Sequence, residues 1–371
     1  MSKLPTICFL TGTLNAFAGA ERMTAVIASA LAERRYRVFV LSLWDRDSVF
    51  PLHPDVVHDA LFESRPSFKR KYLATVAGIR RFVRQHGVDV LIEVDTMLTL
   101  FTLPATVGLK VRRIAWEHCH FDEDLGRRAR RMARWLAAGT NEAVVVLTER
   151  DRRRWLQTVR PRSTVTCIAN PLPFPFPDMP SPRRNKTVLA MGRLVYAKGF
   201  DVLIRAWARI APVVPDWSLV IHGDGEERQS LEALVDNLGL RNFVRMPGVC
   251  ADASAAYTKA SIFCLSSRYE GFGLVLIEAM AFGLPIVSTN CETGPRELLR
   301  SGDNALTVPV EDPEALGAAL LEAIRGTSDM ASLTAAGRRL ASTFDAKLVV
   351  TAWEVLLDAK ARPSACRHGS A

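Results

Sequence analysis

Residues 187–200 read TVLAMGRLVYAKGF, and this stretch indicates which kind of fold the chain adopts. Its first five residues form a mostly apolar run that stops at Gly192, and a helical pattern of apolar residues extends from Phe200 to Ile210. A strand that leads through a glycine-containing loop into a helix is the repeating unit of parallel α/β sheets. The stretch therefore predicts a loop at the carboxyl edge of a sheet, where α/β folds bind ligands.

The same alternation of strand and helix patterns continues in both directions along the chain. In the first half, strands are predicted at 6–11, 37–43, 89–94, 112–116 and 143–147, and helices at 20–34, 70–85 and 125–138. In the second half, strands are also predicted at 218–222, 262–265, 285–288 and 305–308, with helices at 226–238 and 274–282, one that opens near residue 295 and three at the C-terminus. The chain therefore contains two α/β series.

Six prolines between residues 171 and 182 separate the two series. Because proline lacks a backbone N–H and has a fixed φ, this run predicts an extended linker. We predict an N-terminal Rossmann-like domain at 1–170, a linker at 171–186, a C-terminal Rossmann-like domain at 187–345 and, at 346–371, a helix that packs back on the N-terminal domain and ends in a disordered tail. Two such doubly wound domains leave a cleft between the carboxyl edges of their sheets.

Composition excludes several classes of protein. The 371 residues are 49% hydrophobic and 23% charged, which excludes a disordered chain and is enough for two cores. No uncharged apolar run reaches the roughly 18 residues that a membrane-spanning helix needs. The seven cysteines are scattered, which favours a reducing cytoplasm over a disulfide framework. We interpret residues 1–20 as a first strand and its loop, not as a signal peptide.

The positive charge lies in the first half of the chain. The formal net charge is +9, and residues 1–180 hold 27 Lys and Arg against 18 Asp and Glu, so the remainder is neutral. This imbalance predicts an anionic partner. Its densest part is a predicted helix with five arginines: Arg127, Arg128, Arg130, Arg131 and Arg134.

A helical wheel predicts that this helix is amphipathic. One face carries Arg127, Arg130, Arg131 and Arg134, and the opposite face carries Leu125, Ala129, Met132 and Leu136. Such a helix fits an anionic membrane surface, and the alternative is an ordinary solvated helix face. Nucleic acid is not the expected partner, because no zinc finger, RNP-like motif or helix-turn-helix accompanies the charge.

Charged side chains in the second half suggest ligand contacts. Arg193 and Lys198 follow a strand and could clamp a diphosphate, or they could be solvated loop cations. Glu278 lies in an apolar helix, where an unpaired carboxylate would be costly, and Glu270 lies in the loop before it. Together the two carboxylates could accept hydrogen bonds from the hydroxyls of a ribose or hexose. The alternative for Glu278 is an internal salt bridge with Arg193 or Arg268.

Two positions of the first half also follow predicted strands. Gly19 lies in a small-residue loop before a helix, where backbone N–H groups can bind a phosphate, although any βα turn can look similar. His118 follows the strand 112–116 and would face the cleft, or it could cap the strand edge. His118 and His120 have no third ligand at a suitable spacing, so no metal site is predicted. Neither a Walker A motif nor a G-x-G-x-x-G motif occurs.

Taken together, these motifs resemble the retaining family 4 glycosyltransferases of GT-B fold, over nearly the whole chain. The matching elements are Gly192-Arg193-Leu194 with Lys198-Gly199-Phe200, His222-Gly223-Asp224-Gly225, Glu270 with Glu278, Asn170-Pro171, and Gly294-Pro295 with Glu297. Ala18-Gly19 departs from the two adjacent glycines common in the family. The stretch 290–295 resembles the branch that builds bacterial surface polysaccharides, although Asn290 stands where that branch often has Asp.

The resemblance implies a role for each motif residue. Arg193 and Lys198 would bind the donor diphosphate, Glu278 would hold the ribose hydroxyls, Glu270 would hold hydroxyls of the donor sugar, and His118 would lie near its reacting carbon. The other donor-binding positions would be Gly19, Gly192, Gly223, Gly248, Gly271, Phe272, Gly273 and Leu274.

The resemblance also implies an activity. The chain would transfer a hexose or N-acetylhexosamine from a nucleotide sugar, expected to be UDP-linked, to a glycan or polyprenyl-diphosphate-linked acceptor. It would keep the anomeric configuration and need no metal or cofactor. The arginine-rich predicted helix adds the expectation of a peripheral protein on the inner face of the cytoplasmic membrane. The alternatives are a sugar-nucleotide epimerase of the same fold and a non-catalytic, membrane-associated GT-B protein.

Overall fold

The computed structural model describes residues 4–124, 126–250 and 252–358. Within these residues, seven parallel strands form a first sheet with the order β3-β2-β1-β4-β5-β6-β7. The strands are β1 Thr6–Thr11, β2 Arg37–Trp44, β3 Val57–Phe62, β4 Val90–Val94, β5 Arg112–Trp116, β6 Ala143–Val146 and β7 Thr164–Cys167. The order reverses at β1, so β1 and β4 flank the crevice where doubly wound sheets bind ligands.

A second parallel sheet follows, also within the described residues, with the order β10-β9-β8-β11-β12-β13. Its strands are β8 Thr187–Met191, β9 Ser218–His222, β10 Val244–Gly248, β11 Ile262–Leu265, β12 Ile286–Thr289 and β13 Leu306–Val308. The predicted α/β class with two doubly wound sheets is confirmed. The predicted domain boundaries at residues 170 and 186 stay predictions.

Helices connect the strands and cover the sheets. They are α1 Gly19–Glu33, α2 Tyr72–His86, α3 Thr99–Thr106, α4 Arg128–Thr140, α5 Glu149–Val159, α6 Phe200–Ile210, α7 Arg228–Asn237, α8 Ala253–Lys259, α9 Leu274–Ala281, α10 Pro295–Leu298, α11 Pro313–Arg325, α12 Met330–Ser342 and α13 Ala346–Asp358. Helix α6 shows why they form, because Leu203, Trp207 and Ile210 repeat at helical spacing and are buried. None of the described helices is both long and apolar enough to span a bilayer.

Helix α13 returns to the first sheet. Arg34, which directly follows α1, forms an ion pair with Glu354 of α13, and the Trp353 ring contacts the Trp116 ring at a centroid distance of 5.0 Å. Because Trp116 ends β5, this helix supports the strand that leads to His118. The predicted disordered tail lies outside the described residues.

The strands that the sequence analysis missed all lie at sheet edges. They are β3, β7 and β10, and each has a single neighbouring strand. No residue of β3 is fully buried, and in β10 only Val244 is buried. An edge strand that is partly exposed lacks the continuous apolar run of a central parallel strand, so it has little signal in the sequence.

Candidate active site

Three glycines meet where β8, β9 and β10 end. The N–H of Gly223 donates to the carbonyl of Gly248 at 2.9 Å, and the N–H of Gly192 donates to the carbonyl of His222 at 3.0 Å. A Cβ atom on Gly223 would lie 1.8 Å from the carbonyl oxygen of Gly192. Side chains are therefore excluded from this floor, and a ligand could approach the backbone closely.

The predicted cations lie above this floor but differ in their contacts. Lys198 Nζ is 2.6 Å from Glu270 Oε1, and the Ser267 hydroxyl donates to the same oxygen at 2.6 Å. The carbon chain of Lys198 runs along Gly192. Arg193 is exposed, and its side chain makes no hydrogen bond or ion pair within the described part of the chain. The loop thus presents one positioned ammonium and one guanidinium available to an anion.

Glu278 is paired, but with a residue that the sequence analysis did not consider. Its side chain is 1% exposed, and its Oε1 accepts from Arg22 Nη1 at 2.9 Å, while Oε2 accepts from the Tyr257 hydroxyl at 2.9 Å. Burial raises the pKa of Glu278, and Arg22 and Tyr257 oppose that shift. The alternative pairing with Arg193 or Arg268 is wrong, because Arg268 binds Asp201 and Glu311 instead.

The loop between the two glutamates offers backbone rather than side chains. A Cβ atom on Gly271 would lie 2.6 Å from the carbonyl oxygen of His118, so the two halves of the chain touch here through their backbones. The Phe272 ring is buried against Phe344, with ring centroids 5.7 Å apart. Gly273 caps α9 with a φ of 83°, and Leu274 is the first residue of that helix.

His118 follows β5, as predicted, and its side chain is poised for a neutral hydrogen bond. The ring lies beside Trp116 at a centroid distance of 4.4 Å, and Nε2 is buried with no partner among the described residues. Burial lowers the pKa of His118 to about 4, so the imidazole is uncharged near neutral pH. Because Nε2 is buried, a sugar hydroxyl could reach it only after neighbouring groups move, and the uncharged imidazole could then exchange a hydrogen bond with that hydroxyl.

Gly19 begins helix α1, on the side of the first sheet that meets the second half of the chain. A Cβ atom on Gly19 would touch nothing within 4 Å, so the helix start is open. Arg22, one turn further on, reaches Glu278. Burial raises the pKa of Glu21, and the positive charge of Arg193 opposes that shift. Arg193 therefore acts electrostatically on the first turn of α1. The assignment of Gly19 to a phosphate stays a prediction.

The prediction of one accessible arginine face on α4 is wrong for two of its members. Arg130 and Arg134 are only 3% and 2% exposed. Arg130 binds Asp95 at 2.8 Å and Glu117 at 3.3 Å, and Arg134 binds Glu117 at 3.2 Å. Asp95 directly follows β4, and Glu117 directly follows β5. A helical wheel of α4 cannot take such neighbouring residues into account.

The outer surface of α4 carries a different set of residues from the predicted one. Arg127, at the start of the helix, Arg128 and Arg131 are exposed, in accordance with the prediction. Met132 and Trp135 are also exposed, at 53% and 56%, although Met132 was predicted to lie on the opposite face. We call Arg128, Arg131, Met132 and Trp135 the outer face of α4.

Arg22, Tyr257, Asp95 and Glu117 are the residues of this region that sequence reasoning missed. Their contacts join separate segments of the chain, and no spacing pattern in the sequence indicates them. Across residues 4–124, 126–250 and 252–358, no group of three or more His, Cys, Asp or Glu side chains is arranged to hold a metal ion. Metal independence itself stays a prediction.

Comparison with known families agrees with this geometry. The family model described as Glycosyltransferase Family 4 matches residues 17–208, and the model described as Glycosyl transferases group 1 matches residues 176–340. The chain belongs to glycosyltransferase family 4. The resemblance found in the motifs is thereby confirmed, and so is glycosyl transfer as the general activity of the family-4 chain.

Individual relatives cover almost the whole family-4 chain. An uncharacterized glycosyltransferase of Haemophilus influenzae is 31% identical over 351 residues, 95% of this chain and 99% of the relative. A Campylobacter jejuni α-1,4-N-acetyl-D-galactosaminyltransferase, named for an acceptor that ends in PP-undecaprenol, is 28% identical over 84% of this chain and 86% of its own. The crystal structure of Anabaena HepE with UDP superimposes with a TM-score of 0.79 at 21% identity, covering 96% of this chain and 100% of HepE. That likeness shows the two-domain GT-B fold.

Proposed function

We propose that this family-4 glycosyltransferase moves a hexose or N-acetylhexosamine, with retention of configuration, from a UDP-sugar to a glycan or polyprenyl-diphosphate-linked acceptor in bacterial surface polysaccharide biosynthesis. One observation carries the proposal: Lys198 Nζ lies 2.6 Å from Glu270, in loops that follow strands of the second sheet, and the backbone of Gly271 lies against the His118 carbonyl of the first half. Arg193 belongs to the first of these loops, and Glu278 lies in α9 after the second. The UDP in the HepE structure and the undecaprenol acceptor in the name of the Campylobacter relative support the donor and the acceptor class.

The donor fits this arrangement by charge and by hydrogen bonding. A diphosphate would lie over the glycine floor between Arg193 and Lys198, and the exposed guanidinium of Arg193 can bind two phosphate oxygens at once. The sugar hydroxyls would donate to Glu270, which Lys198 and Ser267 already hold in place. The neutral ring of His118 would bind a hydroxyl near the reacting carbon.

Transfer needs little covalent chemistry from the protein. The bond between the anomeric carbon and the diphosphate oxygen breaks, and the acceptor hydroxyl forms its new bond on the same face of the sugar. The acceptor's proton passes to an oxygen of the departing diphosphate. Lys198 and Arg193 stabilise the negative charge that develops there, so the rate enhancement comes from positioning and electrostatic stabilisation. We expect EDTA to leave the rate unchanged, and loss of activity that Mn²⁺ or Mg²⁺ restores would contradict this mechanism.

A panel of nucleotide sugars tests the donor assignment. Purified protein is incubated with UDP-, GDP-, dTDP- and ADP-linked hexoses and N-acetylhexosamines, and release of the nucleoside diphosphate and protection against heat are measured. We expect a UDP-sugar to give both signals, and Arg193→Ala to abolish them. Signals with only another base would overturn the UDP assignment. Formation of an epimeric sugar nucleotide would favour the epimerase, and binding without release, with acceptor lipid extract present, would favour the non-catalytic protein.

We also propose that the family-4 chain attaches to the inner face of the cytoplasmic membrane through the outer face of α4. Its two arginines can approach anionic head groups, and Trp135 and Met132 can enter the interfacial region, which is the residue pattern of interfacial helices. Each exposed basic residue near such a surface contributes about 1 kcal/mol, less as salt rises. Attachment would bring a lipid-linked acceptor to the cleft.

Co-sedimentation with vesicles of phosphatidylglycerol and phosphatidylethanolamine, at low and high salt, tests the attachment. We expect Arg128→Gln combined with Arg131→Gln, or Trp135→Ala, to lower the bound fraction. The matched control is Arg205→Gln combined with Arg209→Gln, which removes the same charge from an exposed face of α6. Equal binding of both double variants, or no binding of the wild type at low salt, would assign the outer face of α4 to solvent.

A further inference from the structure

Glu278 already accepts from two protein donors in this structure, although the proposed function assigns it to the ribose of the donor. One carboxylate oxygen accepts from Arg22, the other accepts from Tyr257, and the side chain is 1% exposed. A carboxylate can accept about four hydrogen bonds, so two donors do not saturate Glu278, but its burial leaves a ribose hydroxyl no access until one of the side chains that cover it moves away.

The two donors differ in their freedom to move. Tyr257 is completely buried, and its ring stacks on Phe282 at a centroid distance of 5.5 Å and an interplanar angle of 20°. The side chain of Arg22 is 24% exposed, and it comes from α1 of the first sheet, 256 residues away from Glu278 in sequence. Arg22 is therefore the donor that can leave, since its long side chain and its helix belong to the opposite half of the chain.

A candidate anion-binding site lies beside Arg22, at the start of α1. Residues three apart on a helix are neighbours, so Arg22 lies beside Gly19 at the open N-terminus of α1. That helix start attracts anions through its free N–H groups. The loop of Arg193 lies beside the Glu278 pair, since the sulfur of Met191, two residues before Arg193, is 3.9 Å from the Tyr257 hydroxyl that also binds Glu278. A diphosphate between Arg193 and α1 is consequently the nearest anion that could replace Glu278 as the partner of Arg22.

We propose that Arg22 exchanges partners when the donor binds: it occupies the ribose position at Glu278 in the empty protein and moves to the donor diphosphate in the complex. The exchange rests on the proposed function and makes Arg22 a specificity-determining residue of the donor site. A nucleoside without phosphates competes with Arg22 for Glu278 and gains no new contact with Arg22. A nucleoside diphosphate competes with Arg22 and then binds it, so the family-4 chain selects for the diphosphate.

Calorimetric titration of the full chain with uridine and with UDP tests the exchange. We expect Arg22→Met to bind uridine about threefold more tightly, because Glu278 becomes accessible, and UDP about tenfold more weakly, because one charged phosphate contact is lost. Arg22→Lys keeps the ion pair and should behave as the wild type within about threefold. If Arg22→Met does not fold, as judged by circular dichroism, Arg22→Gln replaces it with the same expectation.

Arg34→Gln is the matched control, because Arg34 directly follows the same helix and pairs with Glu354 of α13, away from Glu278. Equal weakening of uridine and UDP by Arg22→Met would mean that Arg22 only supports Glu278, and unchanged binding of both would make it a bystander. Either result overturns the exchange and leaves the proposed function standing. Should the wild type bind another base, the matching nucleoside and diphosphate are titrated; binding of none would reject the proposed function and the exchange together.

Discussion

Two groups of cations in this protein have opposite environments. Arg130 and Arg134 of α4 are buried and share the carboxylates of Asp95 and Glu117. Arg193, in the loop after β8, is exposed and binds no carboxylate within the described residues. The basic stretch with the higher charge density therefore offers fewer arginines to a partner than its sequence suggests. Accessible charge depends on which acids the fold places beside each cation.

The buried arginines have a structural task at the candidate site. Arg134 donates to the backbone carbonyls of His120 and Glu123 at 3.1 and 2.8 Å, and the N–H of Cys119 donates to Glu117 at 3.1 Å. These bonds hold the loop that carries His118. The buried α4 arginines thus position one side of the cleft, while the guanidinium of Arg193 after β8 is available to bind a ligand.

The largest expected effect comes from breaking the buried network. Arg134→Met should lower the free energy of unfolding by about 3–5 kcal/mol, because Glu117 keeps a buried charge with one partner fewer. Urea unfolding followed by tryptophan fluorescence measures this change. A loss below about 1 kcal/mol would show that the network contributes little to stability.

The second effect concerns Lys198, in the loop after β8. Lys198→Ala should lower turnover about a hundredfold or more, because stabilisation of the leaving diphosphate is lost. The initial rate of release of the nucleoside diphosphate from the donor, measured at saturation, checks this. The matched control is Lys186→Ala, which removes an exposed lysine that pairs with Asp216. Near-normal turnover of Lys198→Ala would contradict the diphosphate clamp.

The third effect is a pH dependence that originates at His118. Its pKa is about 4 in the folded protein, below the value of about 6.5 in an unfolded chain, so below pH 6.5 the unfolded state binds more protons. Stability is therefore complete above pH 6.5 and falls as the pH decreases toward 4. Between pH 7 and pH 5 this group should remove about 2 kcal/mol. Urea unfolding at both pH values should show a smaller decrease for His118→Gln, and an equal decrease would assign the pH dependence to other groups.

The smallest expected effect concerns the exposed arginines of α4, in contrast to its buried arginines. Arg128→Gln combined with Arg131→Gln should change the free energy of unfolding by no more than about 0.5 kcal/mol, because both side chains are exposed. The same urea experiment used for Arg134→Met measures it. A loss comparable to that of Arg134→Met would mean that the two kinds of arginine do not differ.

Much of the fold was readable from local sequence patterns. The strands at Thr6–Thr11, Arg112–Trp116 and Thr187–Met191 have the predicted bounds, since central parallel strands are continuous apolar runs. The placement of Lys198, Glu270 and His118 after strands was also predictable, because loops at the carboxyl ends of parallel strands share one edge. The edge strands β3, β7 and β10 were not readable, because partial exposure removes the apolar signal.

The sequence by itself determined the two α/β units, the loops that carry chemical groups and the family to which they belong. Only the tertiary structure decided which charges are paired. Glu278 meets Arg22 across 256 residues, and Glu117 meets Arg130 and Arg134 across 13 and 17 residues. The physical reason is that hydrophobic periodicity is a local property of the chain, whereas an ion pair depends on distance through space, which strand order and domain contact set.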